Sequence, residues 1–537
     1  MKRNKTIYLI AITLVIAGLL IPTGITVAEK NQTTAPQITV TKSNAVPQKI
    51  STSTIFAGTP QAVKVPLAGT PVFTGEGDQH HPGFARTLTG THIAAYRDEP
   101  SEHIVYTFST DDGATYDPGV YYQNENDGDF PSIKYWGGNS FFGTFVTNYN
   151  DLSGAPTYVF GVTDPLDYNT WTLLYWDWST YGWYEQIDAD IACDNSQASH
   201  EWGFSSYVMS TTYGDGYING PTITYADPAD PNSGYISWYY ECDNCIHTDV
   251  DIDHVTKLGY CVYDQTFEGA TRLLVRDISF EDPQGSHDYM YEVTGSANLS
   301  YPAVAANDDN ILILAVTNEN GNDDIVCLHG SSIETLQSTL VVQTSDAELY
   351  PDIQFVQDET FQAIFMKNGK LYKTETTDAG ATWSAAEEIG DSDVAYKAAD
   401  LTEYGVKTLY GASNGEDLDV FLADVGEGPL FPNLQITLKK GFGLGVTATI
   451  SNTDGTALAT NVKWELSITG GVLGLINKVV NGTISSLAID AEEPVKTGLV
   501  FGLGTVDIKA SATCDEGMVV GPISTTGTQL AIFTIVK

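Results

Sequence analysis

Positive charge is scarce in this chain. Its 537 residues hold 25 Lys and Arg against 68 Asp and Glu, a formal net charge of −43. Beyond residue 28 the arginines are Arg86, Arg97, Arg272 and Arg276. Nucleic acid and anionic lipid are bound through clustered Lys and Arg, so the chain as a whole repels both and a nucleic-acid partner is excluded. Such a surface favours cations and solubility. Helical patterning is missing too: no amphipathic helix is legible after the N-terminal apolar run. Neither a Ser nucleophile elbow nor a His-Glu-x-x-His run occurs, which leaves peptidase and esterase readings without support. No segment matches the twelve-residue Ca²⁺ loop with its terminal Glu.

What is abundant suits strands and tight turns: 50 Gly, 30 Tyr and 9 Trp. Residues 1–28 stand apart. Lys2, Arg3 and Lys5 precede an apolar run from Ile7 to Leu20, and small residues follow to Ala28, the layout of a secretory signal peptide. An uncleaved anchor is the alternative, and only then is a membrane a partner. The chain is therefore expected to be extracellular or at the cell surface. Residues 29–62, rich in Thr, Ser, Gln, Pro and Ala, read as a flexible linker. Asn31, Asn298 and Asn481 begin glycosylation sequons.

A motif then returns about every fifty residues. Phe130-Pro131-Ser132-Ile133, Tyr301-Pro302-Ala303-Val304 and Tyr350-Pro351-Asp352-Ile353 are its clearest copies, with His81-Pro82-Gly83-Phe84 and Tyr396-Lys397-Ala398-Ala399 as weaker ones. Pro82 and Pro131 are 49 residues apart, as are Pro302 and Pro351. That period, filled with short alternating strands, predicts an all-β fold: a seven-bladed β-propeller over residues 63–430, with six blades as the alternative. Innermost strands are expected near Pro82, Pro131, Ile187, Asp249, Tyr301, Tyr350 and Tyr396. The last unit is one strand short, and the spare strand near Val63–Phe73 would complete it, leaving no unpaired edge. Residues 431–537 carry less charge and more β-branched residues, with turn signals every 8–12 positions, which predicts an immunoglobulin-like β-sandwich. Phe442-Gly-Leu-Gly445 recurs there as Phe501-Gly-Leu-Gly504. Strands, not helices, follow both, so they read as bulges or close packing instead of phosphate loops.

Two segments carry a resemblance. Ser109-Thr-Asp111-Asp-Gly113-Ala-Thr115-Tyr116 and Thr376-Thr-Asp378-Ala-Gly380-Ala-Thr382-Trp383 resemble Asp-boxes, the hairpin signature of sialidase-like (BNR-repeat) propellers. In such a turn the Asp carboxylate accepts hydrogen bonds, Gly takes a positive φ and the aromatic packs between strands. The resemblance covers residues 63–425 and implies structural roles for these turns. Sialidase chemistry would further imply three arginines clamping a sugar carboxylate, because an anionic sugar is held by permanently charged forks. The family's first arginine falls at His80 or His81 here. Arg97 matches a family position, and Arg272 and Arg276 lack the expected surroundings. The three-arginine cluster is not evident.

The axial mouth is expected to be acidic and aromatic. Its candidates are His80, His81, Arg97, Asp129, Asp190, Asp251, Tyr301, Tyr350 and Tyr396. Such a mouth suits a neutral glycan stacked on Tyr, a cationic group, or a protein ligand. Asp249, Asp251 and Asp253 offer hard oxygen ligands for a structural Ca²⁺; no cofactor is required. Cys193, Cys242, Cys245 and Cys261 sit around the longest insertions, and export favours disulfides among them over zinc. Two functional readings stay open. One is an exported, non-catalytic propeller binding a glycan or extracellular protein; the other is a glycoside hydrolase of sialidase-like fold using mouth carboxylates.

Overall fold

The computed structural model describes residues 25–29 and 69–537, apart from short internal segments such as 194–202 and 280–288. Most of the expected signal and the linker, with Asn31, lie outside the described residues. The protein is all-β. Among the described residues no helix is long and apolar enough to cross a membrane.

Among the described residues from 70 to 424 the strands fall into seven antiparallel sheets, each built in chain order from one innermost strand outward. The innermost strands are Gln79–Arg86, Asp127–Gly137, Tyr184–Cys193, Cys245–Asp253, Leu299–Asn307, Leu349–Gln357 and Ala399–Leu401. They define sheets 1 to 7. Each innermost strand touches the next, and that of sheet 7 touches that of sheet 1, so the arrangement is a closed, propeller-like ring. Sheet 7 has three strands of its own, and Thr70–Phe73 adds the fourth, pairing Thr70 with Leu422 and Phe73 with Val420. Sheet 4 carries a fifth strand: Ile25–Glu29, which includes the end of the expected signal, pairs along Tyr289–Val293.

The packing explains why alternation fades in these strands. Each sheet is covered on both faces, so both side-chain sets along a strand are buried. In Asn310–Thr317, Ile311, Ile313 and Ala315 pack with sheet 4 while Leu312 and Leu314 pack with sheet 6. Seven apolar clusters of this kind each join two consecutive sheets, including sheet 7 to sheet 1 through Phe84, Tyr96, Leu409 and Val420. Each fully buried Leu, Ile or Phe contributes about 1.5–3 kcal/mol. Close approach at the axis also needs small residues: a Cβ at Gly83 would run into the carbonyl oxygen of Pro131.

Residues 434–536 form two further sheets. One has three strands, Leu434–Leu438, Thr447–Asn452 and Glu492–Lys496. The other has six, among them Ala459–Gly470, Ile476–Leu487, Gly502–Thr513 and Val519–Ala531. Both contribute to one apolar core around Leu434, Ile450, Leu466 and Ile508.

Candidate functional site

The fifty-residue motif is a β-bulge. Six of the seven innermost strands hold one extra residue against their neighbour, at His80/Gly83, Asp129/Ser132, Gln186/Asp188, Cys245/Thr248, Ser300/Ala303 and Leu349/Asp352. Four of these breaks place the residue before a proline at positive φ: His81 at 45°, Phe130 at 48°, Tyr301 at 51° and Tyr350 at 52°. Left-handed backbone is costly for bulky residues, and bulges of this kind re-aim side chains beside functional sites.

The re-aimed rings meet. His81 stacks on Phe130 with centroids 4.2 Å apart, and Phe130 lies 6.2 Å from Tyr396. Tyr301 meets Tyr350 edge-on at 4.7 Å and Tyr396 at 5.7 Å, and Tyr350 is 6.1 Å from Tyr396. His247, from the bulge of sheet 4, sits 4.4 Å from Tyr301 and 4.3 Å from Tyr396. All are half-buried. Beside them opens a cavity lined by the motif prolines together with Tyr350, Tyr396, two lysines and four aspartates.

The lysines are Lys134 and Lys397, and the aspartates Asp190, Asp249, Asp352 and Asp400. Lys397 Nζ lies 2.8 Å from Asp188, 3.7 Å from Asp190 and 3.0 Å from the Ala189 carbonyl oxygen. Lys134 Nζ lies 3.5 Å from Asp400. Burial works against both ammonium ions, but the surrounding carboxylates hold their pKa values above the usual lysine range. The carboxyls of Asp190 and Asp249 stand close enough to share a hydrogen bond. Burial would raise Asp190, yet Lys397, Asp249 and Lys134 bring it below its ordinary value. Burial and the charge of Asp190 push Asp249 well above its own. The two carboxyls are thus pushed in opposite directions, Asp190 toward the charged form and Asp249 toward the neutral one. Burial also lifts Asp400 to about 7, with Lys134 opposing.

These acids have a structural task as well. Innermost strands of neighbouring sheets do not share a hydrogen-bond ladder, and carboxylates bridge them. The backbone N–H of Val304 donates to Asp249 at 2.5 Å and that of Ala306 to Asp251 at 2.8 Å. Leu401 donates to Asp352 at 2.7 Å, Phe84 to Asp400 at 2.6 Å and Thr248 to Asp188 at 2.9 Å. The backbone N–H of Tyr135 donates to Glu403. Each bridge runs between sheets and satisfies a donor that would otherwise be buried without a partner.

The expected mouth residues are therefore partly assembled. Asp190, Tyr350 and Tyr396 line the cavity, and Tyr301 completes the ring cluster. Tyr396 Oη donates to Asp188 at 2.6 Å. His81 pairs with Asp129 at 2.5 Å next to Phe130. Burial opposes ionisation of Asp129, but His81 brings its carboxyl below the ordinary value. His80 and Arg97 sit aside, both on Glu99, with Arg97 also donating to the Gly128 carbonyl at 2.8 Å. Asp251 does not line the cavity. Arg86 pairs with Asp112 at 2.7 Å and Arg272 with Glu292 at 2.9 Å. Among the described residues no arginine lines the cavity.

Asp249, Asp251 and Asp253 share one strand face, but each is engaged separately. Asp253 caps the following turn through the N–H groups of Val255 at 2.9 Å and Thr256 at 3.2 Å. Among the described residues no three His, Cys, Asp or Glu side chains are grouped to hold a metal ion. Cys245 and Cys261 are buried in one apolar cluster and Cys193 in the neighbouring one; the side chain of Cys242 lies outside the described residues.

Lys134, Lys397, Asp352, Asp400 and Glu403 were not among the expected site residues. A signal for two of them existed. Asp352 stands two places after Tyr350 in the motif, as Asp249 stands two after His247, and Lys134 stands four after Phe130. Each stands just past the bulge, where the regular alternation of the strand resumes.

The two turns that resemble each other in sequence have the same geometry. Gly113 N–H donates to Ser109 Oγ at 2.9 Å, and Thr115 donates to Asp111 through its N–H at 2.8 Å and its hydroxyl at 2.6 Å. In the other copy Gly380 donates to Thr376 at 2.9 Å, and Thr382 to Asp378 at 2.8 and 2.7 Å. Both link the third and fourth strands of their sheets, 1 and 6. Tyr116 and Trp383 pack against the adjoining apolar clusters.

No family model matches the chain, and no curated protein does. Solved structures resemble it at low identity. A Hadza microbial sialidase is 13% identical over 66% of this chain and 68% of its own, with a TM-score of 0.39. Prolyl oligopeptidase B from Galerina marginata is 12% identical over 70% of this chain and 56% of its own, at 0.39. A GH43 endo-arabinanase from Bacillus licheniformis is 10% identical over 59% and 96%, at 0.27.

Proposed function

We propose that residues 63–430 form a seven-bladed β-propeller of sialidase-like kind, exported from the cell, whose axial mouth binds a neutral glycan without cleaving it. Seven sheets in cyclic contact support seven blades over six, and the matched turns at Asp111 and Asp378 support Asp-boxes. Two sheets around one core support an immunoglobulin-like sandwich over residues 431–537. The observation that carries the functional reading is the split between rim and interior. Tyr301, Tyr350, Tyr396 and His247 offer ring faces and edges, while the charges beneath them are committed to one another and to backbone N–H groups. A ligand gains aromatic contact there and meets no arginine fork for a sugar acid.

A glycoside hydrolase is the second reading, because the surroundings push Asp249 up and Asp190 down, the kind of split that assigns an acid–base pair. Their direct hydrogen bond counts against it, since glycosidase carboxyls stand about 5–5.5 Å apart in retaining enzymes and about 6.5–9.5 Å in inverting ones. A panel of aryl glycosides, sialosides included, tests the choice. No turnover supports binding alone; turnover abolished by Asp249→Asn establishes the hydrolase.

A further inference from the structure

The far end of the six-stranded C-terminal sheet exposes what a soluble protein normally buries. Leu473 is 90% exposed, Leu475 79%, Phe501 71%, Phe442 67%, Leu444 58% and Leu503 57%. Strand register gathers them at one end. Gly441–Gly443 pairs with Phe533–Val536, whose turn leads back along Val519–Ala531, and Ala531 pairs with Gly502 between Phe501 and Leu503. The turn that carries Leu473 reaches the same place, because Gly471 N–H donates to the Thr505 carbonyl at 2.7 Å. Phe442 stacks on Phe533 at 4.7 Å, in the open. Leu473 is held out at φ 59°, a left-handed conformation uncommon for a branched side chain. Single exposed leucines are ordinary, whereas a contiguous apolar end marks a contact surface.

The charge around it reverses that of the whole chain. Residues 436–447, 470–482, 496–506 and 529–536 contain Lys439, Lys440, Lys478 and Lys496 and no Asp or Glu, in a protein with 68 acidic residues. Lys439 and Lys496 both lie beside Thr447, at the end of the three-stranded sheet from which the Phe442 loop leaves. Lys478 Nζ donates to the Leu499 carbonyl at 2.7 Å, next to Phe501. An apolar tip ringed by lysines complements an anionic bilayer: the side chains enter the acyl boundary and the ammonium ions stay among the headgroups.

We propose that this end of the C-terminal sheets docks onto an anionic lipid surface, using the two Phe-Gly-Leu-Gly loops and the turn at Leu473. The site is separate from the axial mouth and stands or falls independently of it.

The test places an environment-sensitive fluorophore at the tip of the full chain through Leu473→Cys, with the wild-type chain treated alike as the labelling blank. A label at this position reports the tip itself, whatever the apolar run from Ile7 to Leu20 does. Vesicles of phosphatidylcholine containing phosphatidylglycerol are expected to shift the emission to the blue, and vesicles of phosphatidylcholine alone to do so far more weakly. Lys439→Glu combined with Lys440→Glu is expected to lower affinity for the anionic vesicles about tenfold or more. Leu475→Ser with Phe501→Ser, checked for native near-UV dichroism, is expected to abolish the shift. No shift with either vesicle overturns the proposal. An equal shift on both overturns its charge basis. A shift without vesicles that follows protein concentration, with a dimer in light scattering, assigns the tip to a second copy instead.

Discussion

Asp400 accepts the backbone N–H of Phe84 at 2.6 Å across 316 residues of sequence, joining the last innermost strand of the ring to the first. The same carboxylate faces Lys134 at 3.5 Å. One side chain therefore closes the ring and faces a cation within it. Asp400→Ala removes both partners at once and is expected to destabilise the protein by about 3–5 kcal/mol, the cost of breaking a buried pair. Asp400→Asn keeps an acceptor for Phe84 and should lose less. Denaturant midpoints of the two variants check the order.

Asp251 gives the ring a pH dependence whose direction follows from its surroundings. Burial raises its pKa to about 7, against the opposing N–H groups of Ala306 and Ile252 and the charge of Lys134. A carboxyl that binds its proton more tightly folded than unfolded makes stability fall as pH rises between the unfolded value, near 4, and about 7. Asp251→Asn cannot ionise and still accepts from Ala306. It is expected to flatten that slope, so that its melting temperature exceeds the wild-type value at pH 8 but not at pH 4.5. Melting curves across this range decide it; an unchanged slope would locate the effect elsewhere.

The paired turns predict a structural effect without a functional one. Gly113 has φ 86° and Gly380 φ 89°. A Cβ at Gly113 would press on Leu422, and one at Gly380 would lie 3.0 Å from the Cβ of His329. Gly113→Ala and Gly380→Ala are each expected to cost about 1–3 kcal/mol, with Gly113→Ala the worse. Ligand affinity should not change in either, since both turns sit between the third and fourth strands of their sheets, outward from the axis.

These outcomes show what was legible beforehand. The ring repeat could be read because an aromatic residue before proline is rare enough to mark the bulge that places it. Copies without that pair were harder: His247 stands at the sheet 4 bulge with no proline after it. Asp249, Asp251 and Asp253 looked like metal ligands because alternate positions share a strand face. Their partners, the N–H groups of Val304 and Ala306, lie on another strand some 50 residues away (55 in both cases), and no local pattern announces them. Lys134 and Lys397 were missed for a related reason, since an isolated lysine in a strand gives no sign that its neighbours across the axis are acids. The apolar end of the C-terminal sheets was visible only as a repeated Phe-Gly-Leu-Gly; its exposure depends on how the turns fold.

The central claim is that the ring of tyrosines receives a neutral sugar over charges that are already paired. Binding of labelled wild-type protein to an array of neutral and sialylated glycans, beside Tyr301→Ala and Tyr396→Phe, measures this most directly. The account predicts binding to neutral glycans, reduced at least tenfold by loss of the Tyr301 ring and largely kept by Tyr396→Phe, which retains its ring. Selective capture of sialylated glycans, or neutral binding indifferent to Tyr301, would contradict it.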